Sequence, residues 1–178
     1  HVALILRRLL RLARHYGASP QVLAASATIA NAREHAEALT GLPFEELKAQ
    51  VARTERELLV LLPKPLDRRG ERRRSPLLEA AYLARRLAEA GLKGLVFAGA
   101  RKSAELIARY AAHPLVRPYR AGYTARERRR LEADLKEGRV RVLVSTSALE
   151  LGVDIGELDA VVLVGYPGST AAFWQRAG

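Results

Sequence analysis

The chain of 178 residues contains neither cysteine nor methionine. Without cysteine, disulfides and thiolate-held metals are excluded. Methionine is missing even from position 1, where a translated chain begins with one, so the sequence reads as a piece of a longer protein. No apolar run reaches the roughly 20 residues that a membrane-crossing helix needs. The first residues are too rich in arginine for the apolar segment of a secretory signal. A cytoplasmic protein with no membrane partner is the expectation. Histidines are few and scattered: His1, His15, His35 and His113 have no carboxylate or cysteine at ligand spacing, so no metal site is expected. None of them falls in the strand-end loops described below, which leaves no place for a Ser–His–Asp arrangement.

What is present is apolar and basic. Apolar residues make up 49% of the chain, enough for a globular core. Lys and Arg number 30 against 19 Asp and Glu, a net charge of +11. That balance suits a polyanionic partner. Arginine is spread over almost every helix, however, so an arginine-rich composition explains much of it and charge alone does not decide.

Residues 1–16 read as an amphipathic helix with Leu4, Ile5, Leu9, Leu12 and Ala13 on one face, ended by Gly17. Residues 21–25 read as a short buried strand. Asn31 is placed to cap a second helix, with Glu34 completing a capping box and Thr40-Gly41 ending it. The pattern is least regular over 42–57, where the domain boundary is expected; residues 45–53 fit helix or hairpin arm. Residues 57–62 read as a strand stopped by Pro63 and Pro65, and 64–74 as a charged, mobile loop. From Ser75 strands and helices alternate. Helices are predicted over 75–90, 103–110, 124–138 and 169–176; strands over 94–98, 116–120, 140–145 and 158–165. This alternation predicts an α/β fold, a parallel sheet with helices on both faces.

Ligands of open parallel sheets bind at the carboxyl ends of the strands. Here those ends are Gly99-Ala100-Arg101-Lys102-Ser103, Arg120-Ala121-Gly122-Tyr123-Thr124, Ser145-Thr146-Ser147 and Gly165-Tyr166-Pro167-Gly168-Ser169. Each holds glycine, hydroxyl or basic residues, which together with helix amino termini suit an anion. The stretch 145–156 adds Gly152, Asp154 and Gly156. Glycines let backbone amides approach a phosphate or ribose, and a carboxylate beyond a strand end can accept from a ribose hydroxyl. Taken one at a time, the same residues also make ordinary turns and caps.

Their order carries more than their identity. Ser26-Ala27-Thr28, then residues 96–103, then Arg120-Ala121-Gly122-Tyr123, then residues 145–156 with the run Ser147-Ala148-Leu149-Glu150-Leu151-Gly152-Val153-Asp154-Ile155-Gly156, then Gln175-Arg176-Ala177-Gly178, resemble the ordered motifs of superfamily-2 helicases of the DEAD/DEAH-box (DExH) kind: Ser-Ala-Thr is similar to the third, 96–103 to the fourth, 145–156 to the fifth and 175–178 to the opening half of the sixth. The wording is most similar to the bacterial Hrq/MrfA type, linked to DNA repair. The resemblance implies the second RecA-like domain at 58–178, a tail of the first at 1–41 and a linker at 42–57. It implies ATP with Mg²⁺ as cofactors of the intact protein, and single-stranded or unwinding DNA, or RNA, and the first RecA-like domain as partners. By motif position, Ser26 and Thr28 would couple ATP state to domain closure. Gly152, Asp154, Gln175 and Arg176 would face the nucleotide. Arg101, Ser103, Arg120, Gly122, Arg128 and Thr146 would follow the strand backbone. The departures are as informative. No Gly-x-x-x-x-Gly-Lys-Ser/Thr loop and no Asp-Glu pair occur, and the arginine fingers of the sixth motif would follow Gly178. Phosphoryl transfer needs phosphate cradle, metal ligand and arginine together, so this piece alone is not expected to hydrolyse ATP or to bind the cofactors tightly. Two alternatives stand beside the motor reading: a catalytically dead RecA-like adaptor for nucleic acid or protein, and an unrelated nucleotide-binding domain with a basic surface. Without their sheet, residues 1–41 are expected to be mobile or rearranged.

Overall fold

A computed structural model of the chain describes residues 1–26, 29–48, 56–146, 149 and 155–177. Two compact units are distinguished, His1–Leu58 and Leu59–Gly178. Among the described residues no helix is long and apolar enough to cross a membrane.

The first unit packs helix α1 (Val2–His15) on helix α2 (Ala32–Thr40). Leu10 and Ala36 are its buried apolar residues, and the Arg7 guanidinium donates to the Ala38 carbonyl at 2.8 Å. Helix α2 ends as expected, with Gly41 in the left-handed region at φ +75°. Its start differs: the Asn31 side chain accepts no backbone N–H, and its amide instead donates to Glu34 Oε2 at 3.5 Å. The apolar face expected on α1 also differs. Leu4, Ile5, Leu9 and Leu12 are 54–65% exposed. The helix carries leucines on more than one side, and the side bearing Leu10 is the one that meets α2. Residues 21–25 form no strand, and Leu23 is 86% exposed. Nor do 57–62, where Leu58, Leu59 and Val60 are exposed. The reason is shared: a strand needs backbone partners along its edge, and neither segment has one. Residues 45–48 are irregular; 49–53 lie outside the described residues.

The second unit contains helix α3 (Pro76–Glu89), strand β1 (Gly94–Phe97), helix α4 (Arg101–Ala111), strand β2 (Val116–Pro118), helix α5 (Ala125–Lys136), strand β3 (Val142–Ser145), strand β4 (Ala160–Leu163) and helix α6 (Thr170–Ala177). The strands form one sheet in the order β2-β3-β1-β4, every pairing parallel. One face is covered by α3 and α4, whose Ala80, Ala81, Ala84, Ala88, Ala104 and Ala111 share a core with Ile107, Val96, Val142 and Val144. The other carries Leu131 and Leu135 of α5 against Leu95, Phe97, Val140 and Leu143. This is the parallel sheet with helices on both faces that the alternation predicts, and it agrees with the RecA-like fold that the resemblance implies. Some boundaries move, and strands β2, β3 and β4 are shorter than expected. α4 begins at Arg101, not Ser103, capped by extended Ala100. β4, expected to be buried, is half-buried, because it is an edge strand.

Helix starts follow local chemistry. Ser75 accepts from Leu77 N ahead of Pro76, which suits a first helical position. Thr124 and Glu127 form a reciprocal capping box on α5. Gly94 is in a tight place: a Cβ there would stand 3.1 Å from Leu87 Cδ1 and 3.3 Å from the Ala160 carbonyl oxygen, so a neighbour must give by a few tenths of an ångström. Gly94→Ala is therefore expected to cost about 1–3 kcal/mol, read as a lower urea midpoint, since a backbone atom cannot yield as a side chain can.

Residues 64–74 are folded rather than featureless. Leu66 N donates to Arg72 O and Arg74 N to Lys64 O, closing a hairpin around a Pro65–Arg73 bridge. The Asp67 carboxylate accepts from the amides of Glu71 and Arg72, both at 3.0 Å. Acceptance of two turn amides by one carboxylate is what charge counting along the segment does not reveal.

Candidate nucleic-acid interface

Because all four strands run the same way, their carboxyl ends share one edge of the sheet. Register fixes the order along it. Pro118 pairs with Val144, and Phe97 with both Ser145 and Leu163. The ladder continues past the strands through Tyr119 N to Val144 O at 2.8 Å, Ala98 N to Ser145 O at 2.7 Å and Val164 N to Phe97 O at 2.9 Å. Arg120 and Thr146 therefore begin neighbouring loops, followed along the edge by 99–103 and 165–169. Helices α4, α5 and α6 start from this edge and turn their positive amide ends to it. Thr124 caps α5 through Glu127 N, and Ser169 Oγ accepts from Ala172 N.

Arg120 is the best-held cation of the rim. Its guanidinium pairs with the Glu105 carboxylate of α4 and lies 4.9 Å from the centroid of the Tyr123 ring. Its side chain is 44% exposed, so the face turned from Glu105 is open to solvent. Glu127 accepts from the Thr124 amide and hydroxyl, both at 2.8 Å. The backbone bond from Thr124, then its hydroxyl, and more weakly the Arg120 charge, hold the Glu127 carboxyl below its usual range. Gly122 is exposed, and a Cβ there would meet nothing within 4 Å, so packing does not demand the glycine. Arg101 is exposed on the first turn of α4, with Ser103 half-buried beside it. Thr146 is half-buried. Behind it the Ser145 hydroxyl is buried and has no partner among the described residues.

Beneath the rim lies a group that sequence reasoning did not single out. Tyr119 is 1% exposed and donates its hydroxyl to Glu132 of α5 at 2.6 Å. Burial first, then the carboxylate beside it, push the Tyr119 phenol up to about 12. Arg128 stands near the same hydroxyl and works in the opposite direction; it is half-buried, and its Nε has no acceptor among the described residues. The phenol is held neutral by the fold, so its contribution is complete below its ordinary pKa and is lost on ionisation. Stability is expected to fall between pH 10 and 12, with the Tyr119→Phe variant lacking that extra decline. Urea unfolding at pH 9, 10.5 and 11.5 checks it.

Gln175 is exposed on α6, and the Arg176 guanidinium lies 5.4 Å from the Phe97 ring centroid. Ser26 is exposed in the first unit. Thr28, Gly152 and Asp154 lie outside the described residues. Among the described residues no three His, Asp or Glu side chains gather as a metal site. Glu105 and Glu132 could not have been picked from sequence, because their roles come from residues 15 and 13 positions away.

Residues 77–178 match the family model described as the helicase conserved C-terminal domain. The chain belongs to that helicase family. Within superfamily 2 it is of the Hrq/MrfA type. It is 40% identical to the ATP-dependent helicase YprA of Bacillus subtilis over 187 residues, spanning 100% of this chain and 25% of that protein. It is 31% identical to the ATP-dependent helicase hrq1 of Schizosaccharomyces pombe, across 100% of this chain and 18% of that one. The crystal structure of the helicase MrfA bound to DNA and AMPPNP superposes with a TM-score of 0.82 at 39% identity, covering 98% of this chain and 26% of MrfA. The Saccharomyces cerevisiae Dbp5 structure bound to RNA and ADP BeF3, at 21% identity and a TM-score of 0.65, shares the fold. The helicase domain described here thus spans about a quarter or less of the length of its curated relatives.

Proposed function

We propose that the chain is the second RecA-like domain of an ATP-dependent DNA helicase, preceded by a short part of the first, and that its strand-end rim is half of an ATP-gated grip on a nucleic-acid strand. The observation that carries this reading is the parallel register, through which Arg120 and Thr146 open adjacent loops on an edge studded with helix amino termini. DNA is favoured because MrfA, at 39% identity over 98% of this chain, is bound to DNA in its structure, whereas the RNA-bound Dbp5 is only 21% identical. In this reading Arg101, Ser103, Arg120, Gly122, Arg128 and Thr146 follow the phosphates. Ser26 and Thr28 pass the nucleotide state between domains. Gly152, Asp154, Gln175 and Arg176 face ATP. Among the described residues no three potential ligands converge, although magnesium beside a nucleotide takes only one or two carboxylates together with phosphate oxygens. In this reading the phosphate loop and the Asp-Glu pair that the sequence lacks are supplied by the first RecA-like domain.

Retention of labelled single-stranded DNA on filters tests the reading. Binding is expected at about 50 mM salt and steep loss by about 200 mM, because phosphate contacts release counterions. ATP turnover is expected only when the chain is joined to a domain carrying a phosphate loop and an Asp-Glu pair. Failure to retain DNA at low salt defeats the proposal.

A further inference from the structure

The hairpin at residues 64–74 precedes the residues matched by the helicase family model, and the strand-end rim does not include it. It holds six basic side chains and two acidic ones. Its arginines divide by role. Arg73 donates to the Pro63 carbonyl at 3.0 Å, and Arg74 stands 3.6 Å from Glu79 on α3. Among the described residues the side chains of Arg68, Arg69 and Arg72 make no hydrogen bond or ion pair, and all three residues are exposed at the tip. The tip is shaped by Asp67, which gathers the Glu71 and Arg72 amides, and by Gly70 at φ +72°, a conformation that favours glycine. A loop made only to be soluble needs no such carboxylate-centred turn.

The direction of α3 says where this tip lies. α3 packs on β1 and enters it through residues 90–93, so it runs antiparallel to the strands. Its first turn is then at the carboxyl edge. At about 1.5 Å per residue the helix is roughly 21 Å long against about 13 Å for the strand beside it, so its start overhangs that edge. α4, packed along α3, starts from the same edge with Arg101 and Lys102. The hairpin base joins α3 at Ser75, on the side of the rim where these two cations are exposed.

We infer that the 64–74 hairpin is a second phosphate-binding element, in which Arg68, Arg69 and Arg72 engage the nucleic-acid backbone and extend the basic track beyond Arg101 and Lys102. The choice of polyanion rests on the helicase reading above. Three guanidiniums with no internal partner gain contacts without first surrendering any, and a folded loop loses less freedom on binding than an open one.

The test compares the full chain with two variants of equal charge: R68Q/R69Q/R72Q, and R85Q/R86Q/R109Q, whose arginines lie late in α3 and α4, away from this edge. Single-stranded and duplex DNA are titrated from about 50 to 200 mM salt. The hairpin variant is expected to bind single strands ten-fold or more weakly at the low-salt end, with a log–log salt slope shallower by about 2 (roughly 0.7 per lost phosphate contact). The control variant should change far less. Equal losses in the two variants, or none in the hairpin variant, overturn the inference; weakening confined to duplex supports it with the duplex as ligand. Asp67→Ala separates shape from charge: the loop site requires weaker binding although net charge rises, and tighter binding overturns it. A hairpin variant that binds normally beside a weakened Arg120→Ala sinks this inference alone. The reverse pattern keeps it and sinks the rim reading. No binding by the unaltered chain ends both.

Discussion

Leu135→Ala is expected to lower the unfolding free energy of the second unit by about 2–5 kcal/mol, the range for emptying a buried leucine site. Leu135 is fully buried, in a cluster with Leu95, Phe97, Val140 and Leu143. The expectation sits at the upper part of that range because α5 has little else to hold it. Its sequence, ARERRRLEADLK, offers two large apolar residues, and Leu131 is only partly buried. The Tyr119–Glu132 hydrogen bond is the other tie between this helix and the end of β2. The loss should therefore reach the rim: α5 carries the Thr124–Glu127 cap that shapes the loop after Arg120. Urea unfolding gives the energy, and hydrogen exchange should show the amides of 119–128 opening before those of β1 and β3. A change below about 1 kcal/mol would mean that α5 is not anchored as described.

Arg120→Ala is expected to weaken single-stranded DNA binding about ten-fold at low salt. Two magnitudes set the figure. A hydrogen bond to a charged group contributes about 1.5–3 kcal/mol, while the exposed Arg120–Glu105 pair that a phosphate must displace is worth about 0–1 kcal/mol. The difference, about 1–2 kcal/mol, corresponds to roughly a factor of ten. Glu105→Gln should act the opposite way, tightening binding several-fold, because the competing carboxylate is gone. Arg120→Lys should recover only part of the loss, since an ammonium lacks the planar fork. Fluorescence anisotropy with a labelled oligonucleotide reads all three. If Arg120→Ala binds as the parent does, this loop does not touch the strand.

The features legible in the sequence are those whose cause lies within a few residues. Thr124 and Glu127 are three positions apart and cap each other. Ser75-Pro76 and Gly41 act through their own dihedral preferences and neighbouring amides. The parallel sheet was legible for a related reason: strand–helix alternation leaves a connected chain few ways to pair its strands. Failure came where the deciding partner is distant. Residues 21–25 and 57–62 have strand-like composition, but a strand exists only if another backbone lies beside it. The leucines of α1 announce an amphipathic helix without saying which side finds α2. In the site, the strand-end rule located Arg101, Arg120 and Thr146, whereas Glu105 and Glu132 became visible only once α4 and α5 were laid against the sheet. The charge of 64–74 masked Asp67, whose effect depends on which amides it gathers.

The alanine seam between α3 and α4 has a mechanical consequence. Ala80, Ala81, Ala84 and Ala88 share their buried layer with Ala104 and Ala111, and an alanine has no torsion with which to absorb a push. Long side chains along such a seam could swing aside and let one helix slip past the other. Here, with Ile107 as the branched side chain fully buried in that layer, a displacement of the first turn of α4 is expected to carry to α3, which bears at its head the arginine-bearing hairpin.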